Sequence, residues 1–217
     1  MQTGDIMSLE LDHIFLFVRN EAQARAMMGA AGLRVNYSRA HPGQGTTNIC
    51  ACFEDIFLEL LWLDGSPISA ESERMTLGAR GRGEGSPIGI AWRGDIGDAA
   101  EPTVSYAAPF LPSGLSIPVA EQSLDLNIPF LFRAPGGVRP ADRGDELVGN
   151  RQLPCFGGIA NCTILVPNPA AVRRLLAPFL DISVGEGRPG LCFALVDRAG
   201  TLAGQVAWHS HDSHTLQ

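Results

Sequence analysis

The chain has 217 residues, with 16 basic side chains against 23 acidic ones, and every basic residue is an arginine. The absence of lysine excludes Schiff-base catalysis and pyridoxal-phosphate anchoring, and with them the lysine-dependent Walker A loop and kinase ATP site. A net charge of −7 argues against nucleic acid or an anionic membrane as partner, and no apolar run approaches the roughly 20 residues of a membrane span.

With 25 glycines and 15 prolines, the chain reads as loop-punctuated. A chain of this length buries roughly 70% of its unfolded surface, so one large or two small domains can form without disulfide or structural zinc. Five cysteines, Cys50, Cys52, Cys155, Cys162 and Cys192, include no CxxC pair. Buried free thiols are the expected state, with a Cys50/Cys52 redox pair as the alternative. The N-terminal MQTGDIMSLELD lacks a positive segment before an apolar stretch, so the cytoplasm is the expected location.

In chain order, Leu9 to Val18 (LELDHIFLFV) predicts a strand buried on at least one face. Asn20 supplies a helix N-cap, and Ala24, Met27, Met28 and Ala31 follow at helical spacing up to Gly32. Strands are expected at Leu33–Ser38, Thr46–Phe53 and Ile56–Leu63, giving the order βαβββ over residues 9–63. Residues 64–85 form a linker with a short helix from Ser69 to Leu77, leading into a flexible GARGRGEG. A second module, 86–133, has strands at Ile88–Arg93, Val104–Phe110, Leu115–Ala120 and Ile128–Phe132, with its helix reduced to one turn at Asp95–Ala100. A linker at 134–157 precedes a third, degenerate module at 158–210. There Asn168-Pro169 starts a helix striped by Val172, Leu175, Leu176 and Phe179. Residues 211–217 are a tail.

LDHIFLFV, HPGQGTTN and FLELLWL together resemble the glyoxalase-like branch of the vicinal oxygen chelate superfamily, which includes bleomycin-resistance proteins and extradiol dioxygenases. The resemblance implies an α+β fold in which repeated βαβββ modules form a curled mixed sheet around a cup. It also implies a divalent ion in the cup, zinc, iron, manganese or nickel, that stabilises a developing oxyanion. The family's first-strand and fourth-strand ligands fall on His13 and Glu59. The second module matches them with Ile88 and Leu131, and the third with Asn161 and Gln205, so two ligands are found where active members use more.

Two functional readings stand side by side. In one, a metal at His13 and Glu59 supports isomerase or lyase chemistry on a small oxygenated molecule, with Glu59 moving the proton. In the other, the cup is a metal-free binding site of the drug-sequestering kind. A third reading, a partner-binding module with a vestigial cup, predicts a cup filled by Phe15 and Trp62. The residues expected to bind the small molecule are His41, Gln44, Thr46 and Asn48, clustered where a glycine-rich loop enters a strand, and Arg93 and Arg133 as carboxylate clamps. Modules pair either within one chain or between two in a homodimer. The tail histidines His209, His211 and His214 form a metal-tract motif.

Overall fold

The computed structural model describes residues 10–94, 102–144, 151–179 and 182–210. The first module consists of β1 (Glu10–Phe17), α1 (Glu21–Ala30), β2 (Tyr37–His41), β3 (Thr46–Cys52) and β4 (Phe57–Leu63). Two short helices follow, α2 (Ala70–Arg74) and α3 (Leu77–Gly81). The second module contributes β5 (Ile88–Arg93), β6 (Thr103–Tyr106), β7 (Ile117–Ala120) and β8 (Phe130–Arg133). The third unit holds β9 (Gly158–Val166), α4 (Pro169–Leu176), β10 (Ile182–Glu186), β11 (Gly190–Val196) and β12 (Leu202–His209).

Eight strands form one mixed sheet in the order β2-β3-β4-β1-β5-β8-β7-β6. β1 runs parallel to β4 and antiparallel to β5, so the first two modules join edge to edge within one chain. The alternation of β1 divides two cores: Phe15 and Phe17 face one side with Ala91, Phe130 and Phe132. Ile14 and Leu16 face the other with Ile88, Ile90 and Trp92, where Ala24, Met27 and Met28 of α1 cover the sheet. The first of these faces carries the cup. The capping of α1 follows the sequence, since the Asn20 side chain accepts the Gln23 amide at 3.0 Å.

Several expectations are corrected. Residues 33–36 do not join a ladder as expected for Leu33–Ser38. The Asn36 side chain instead accepts the Cys52 amide at 2.7 Å and its own amide donates to the Cys50 carbonyl at 2.8 Å, tying this irregular stretch to β3 before β2 begins at Tyr37. The helix from Ser69 is broken at Thr76, which adopts φ +62°, leaving α2 and α3. The GARGRGEG segment is not a loose loop. Arg80 is 1% exposed and donates to the carbonyls of Ser86, Ser123, Asp125 and Ile128 at 2.6–3.1 Å, tying this segment to the second module. The expected turn at Asp95–Ala100 lies outside the described residues.

The third unit has the element order βαβββ along the chain, but its strands are arranged differently from those of the first module. Its sheet runs β10-β9-β11-β12, with β10, the strand directly after the helix, parallel to β9. In the first module the strand after the helix lies at the far edge instead. α4 starts at Pro169 after Asn168 and buries Val172, Leu175 and Leu176. These residues, with Leu191, Phe193 and Trp208, belong to the same core as α1 and the outer face of the large sheet. Asn161 and Gln205 are exposed and lie outside the cup, so the third unit does not face the first module's site. Among the described residues, no helix is long and apolar enough to cross a membrane.

Candidate active site

The cup is a cavity of about 750 Å³, within the usual range for small-molecule sites. Its walls include Phe15, Phe57, Phe110, Phe130 and Phe132, so Phe15 lines the space without filling it, and Trp62 faces the opposite core. A residue at Gly89 bearing a Cβ would collide with the Phe15 ring, which is why this floor position of β5 is glycine.

His13 and Glu59 meet at the floor. β1 and β4 are parallel neighbours in which Phe15 pairs with Glu59, and period-two alternation puts His13 and Glu59 on the same face. His13 Nε2 lies 3.5 Å from Glu59 Oε2, and both residues are 7% exposed. The other ring nitrogen, Nδ1, lies 2.6 Å from Asp12 Oδ1. The ring stacks on Phe57 at 4.2 Å and meets Phe132 edge-on. An imidazole held by a carboxylate on one nitrogen presents the other to its target in a fixed orientation. Asn48 Nδ2 donates to Glu59 Oε1 at 2.5 Å, and Asn48 Oδ1 accepts the Arg39 amide at 2.8 Å. Glu59 therefore keeps one oxygen directed at His13.

A second polar chain runs along one wall. Tyr106 donates to Gln44 Oε1 at 2.9 Å, Gln44 Nε2 donates to Thr46 Oγ1 at 2.8 Å, and that hydroxyl lies 3.0 Å from His41 Nδ1. Gln44's amide occupies one lone pair of the threonine oxygen, and the hydroxyl's remaining hydrogen-bonding capacity is turned to His41. Burial lowers the proton affinity of His41, which favours the neutral ring. Burial raises the Tyr106 phenol to about 12, keeping it a donor.

Of the six residues expected to bind the small molecule, His41, Gln44 and Asn48 line the cup. Thr46 is fully buried behind them and orients His41 and Gln44. The two arginine expectations are corrected. Arg93 does not line the cup and spends its donors on Glu10, Asp12, and the carbonyls of Leu11 and Asp55. Arg133 is exposed at the end of β8 and does not line the cavity. The arginines that do line it are Arg39 and Arg143, joined by Tyr37 and Asp12. Tyr37, Arg39 and His41 alternate along β2 and could have been found by extending the strand three residues past Ser38. Asp12 carried the signal of an acid beside a histidine in an otherwise apolar strand.

The donor set does not fit a resident divalent ion. His13 and Glu59 are the family positions, and among the described residues no group of three His, Cys, Asp or Glu side chains converges. The cup-facing positions across the floor are Gly89, Ala91, Phe130 and Phe132. Ile88 and Leu131, the expected counterparts, belong to the opposite core. Two donors, one already holding an amide hydrogen, fall short of the three protein ligands of catalytic zinc sites. Cys50 and Cys52 are both fully buried, and burial pushes the Cys50 thiol up, the state of a structural thiol. His209 lies 3.3 Å from the Pro189 carbonyl, while His211 and His214 lie outside the described residues.

A family model described as a glyoxalase-like domain matches residues 11–180. No curated protein gives a significant match. Among solved structures, a hypothetical protein from Staphylococcus aureus is 13% identical with a TM-score of 0.45, covering 90% of this chain and 84% of that one. A methylmalonyl-CoA epimerase in complex with methylmalonyl-CoA and NH4+ is 17% identical with a TM-score of 0.39, covering 61% of this chain and 99% of that one. A Streptomyces coelicolor methylmalonyl-CoA epimerase variant in complex with 2-nitronate-propionyl-CoA is 19% identical with a TM-score of 0.38, covering 58% and 98%.

Proposed function

The chain belongs to the glyoxalase-like domain family, of the vicinal oxygen chelate superfamily, and from that premise we propose that its cup binds a small oxygenated organic molecule and moves a proton on it with Glu59 and His13. The observation that carries this reading is the buried Asp12–His13–Glu59 array, with contacts of 2.6 and 3.5 Å, on the floor of a cavity with aromatic walls. Glu59 Oε2 takes the proton from a carbon beside a carbonyl. His13 Nε2 donates to the oxygen on which the negative charge develops, and Asp12 balances the charge that the ring gains or loses. The Asn48 amide holds the second Glu59 oxygen and sets the plane of the carboxylate. The aromatic walls exclude water, which strengthens each of these electrostatic contacts.

The test is proton–deuterium exchange. Phenylpyruvate and hydroxyacetone are incubated with the protein in D2O, and the signal of the hydrogen beside the carbonyl is followed by NMR. Exchange faster than in buffer with heat-unfolded protein supports proton transfer. Binding without exchange supports the second reading, sequestration of a ligand without chemistry, which the predominantly apolar aromatic wall favours.

A further inference from the structure

We infer that the ligand of the cup carries a carboxylate, held at the rim by Arg39 and Arg143. This assignment rests on the acid–base reading of the same cup and names its substrate class. Arg39 stands directly opposite Asn48 in the β2–β3 ladder, and both line the cavity. Its guanidinium lies over the Phe110 ring at 5.4 Å, and among the described residues it contacts no carboxylate or carbonyl. Other buried or paired arginines have their donors engaged: Arg80 and Arg93 by backbone carbonyls and acids, Arg139 by Glu10, and Arg151 by Glu54. Arg143 also lines the cavity and lies over the ring of Tyr37, two residues from Arg39 on β2, at 5.8 Å.

Stacking on an aromatic face holds a guanidinium flat and leaves its N–H edge directed outward. That edge matches a carboxylate in two parallel hydrogen bonds. A single side chain, Asn48, links the Arg39 backbone to Glu59 through contacts of 2.8 and 2.5 Å. Asp142 lines the cavity beside the two arginines. A carboxylic acid with an oxygenated carbon next to an aromatic or branched apolar group satisfies rim, floor and walls together.

The test compares 3-phenyllactate with its neutral amide, 3-phenyllactamide, by calorimetric titration of the full chain at low and high salt. Wild-type protein should bind the carboxylate about tenfold more tightly than the amide, the scale of a charge-assisted hydrogen bond, with the preference shrinking as salt rises. Arg39→Gln should bring the ratio close to one, and Arg143→Gln should reduce it. Equal affinity for the two ligands in wild type, a ratio unchanged in Arg39→Gln, or no binding of either ligand would overturn the assignment. A retained ratio with no deuterium exchange on phenylpyruvate would instead overturn the acid–base reading and leave the carboxylate clamp standing.

Discussion

Arg93 and His13 grip opposite oxygens of one buried carboxylate: Arg93 Nη1 lies 3.1 Å from Asp12 Oδ2, and His13 Nδ1 lies 2.6 Å from Asp12 Oδ1. The arginine lies outside the cup yet fixes the group that orients the floor histidine. Arg93→Met should leave a buried acid with one partner fewer and cost roughly 3 kcal/mol, read as a lower urea midpoint. It should also lower the exchange rate and shift its pH profile, because Asp12 no longer holds His13 in one orientation. Arg93→Lys, with one ammonium in place of a fork reaching four acceptors, should recover only part of both.

Gly89 and Phe15 give the second prediction. A Cβ at position 89 must displace the Phe15 ring, and the open direction for the ring is the cup. Gly89→Ala should destabilise by roughly 1–3 kcal/mol, as overpacking does, and should weaken 3-phenyllactate binding. Unchanged affinity would mean that Phe15 does not border the ligand.

The third concerns pH. Burial lowers the proton affinity of His41, Glu59 opposes that, and Arg39 adds to it. With the folded value below the unfolded one, the unfolded chain takes up the proton first as pH falls. The stability tied to neutral His41 is therefore complete above the ordinary histidine value of about 6.5 and is lost as pH drops through it toward the folded value. Urea midpoints measured from neutral to mildly acidic pH should fall in wild type. His41→Asn should flatten that part of the curve.

Arg80 supplies a fourth. Burial lowers its pKa to about 10, so it stays a cation at neutral pH, surrounded by carbonyls. Arg80→Met should cost about 3 kcal/mol or more by stranding those carbonyls, visible as a lower urea midpoint with an unchanged slope.

The floor was legible in sequence because an acid inside IFLELLWL and a histidine inside LDHIFLFV break apolar runs, and burying a charge needs a reason. The rim was not. Arg93 and Arg133 sat at predicted strand ends like plausible clamps, but facing depends on registers that the large sheet sets. Arg93 lies opposite Glu10 at the end of the β1–β5 pairing, where Glu10, Asp12 and the carbonyls of Leu11 and Asp55 take its donors. Arg39 was passed over because β2 was placed four residues early. The third unit misled for a different reason. Strand, helix and strand patterns resemble those of the first module, but a pattern of elements does not specify strand order, and β10 joins β9 directly.

The central claim is that Glu59 moves a proton in the cup. Its most direct measurement is the rate of deuterium incorporation into phenylpyruvate by wild type and by Glu59→Gln. The amide keeps an oxygen to accept from Asn48, so the fold and 3-phenyllactate binding should persist. The exchange rate should fall at least about a hundredfold, the low end for loss of a general base. An exchange rate in Glu59→Gln equal to that of wild type would contradict the account.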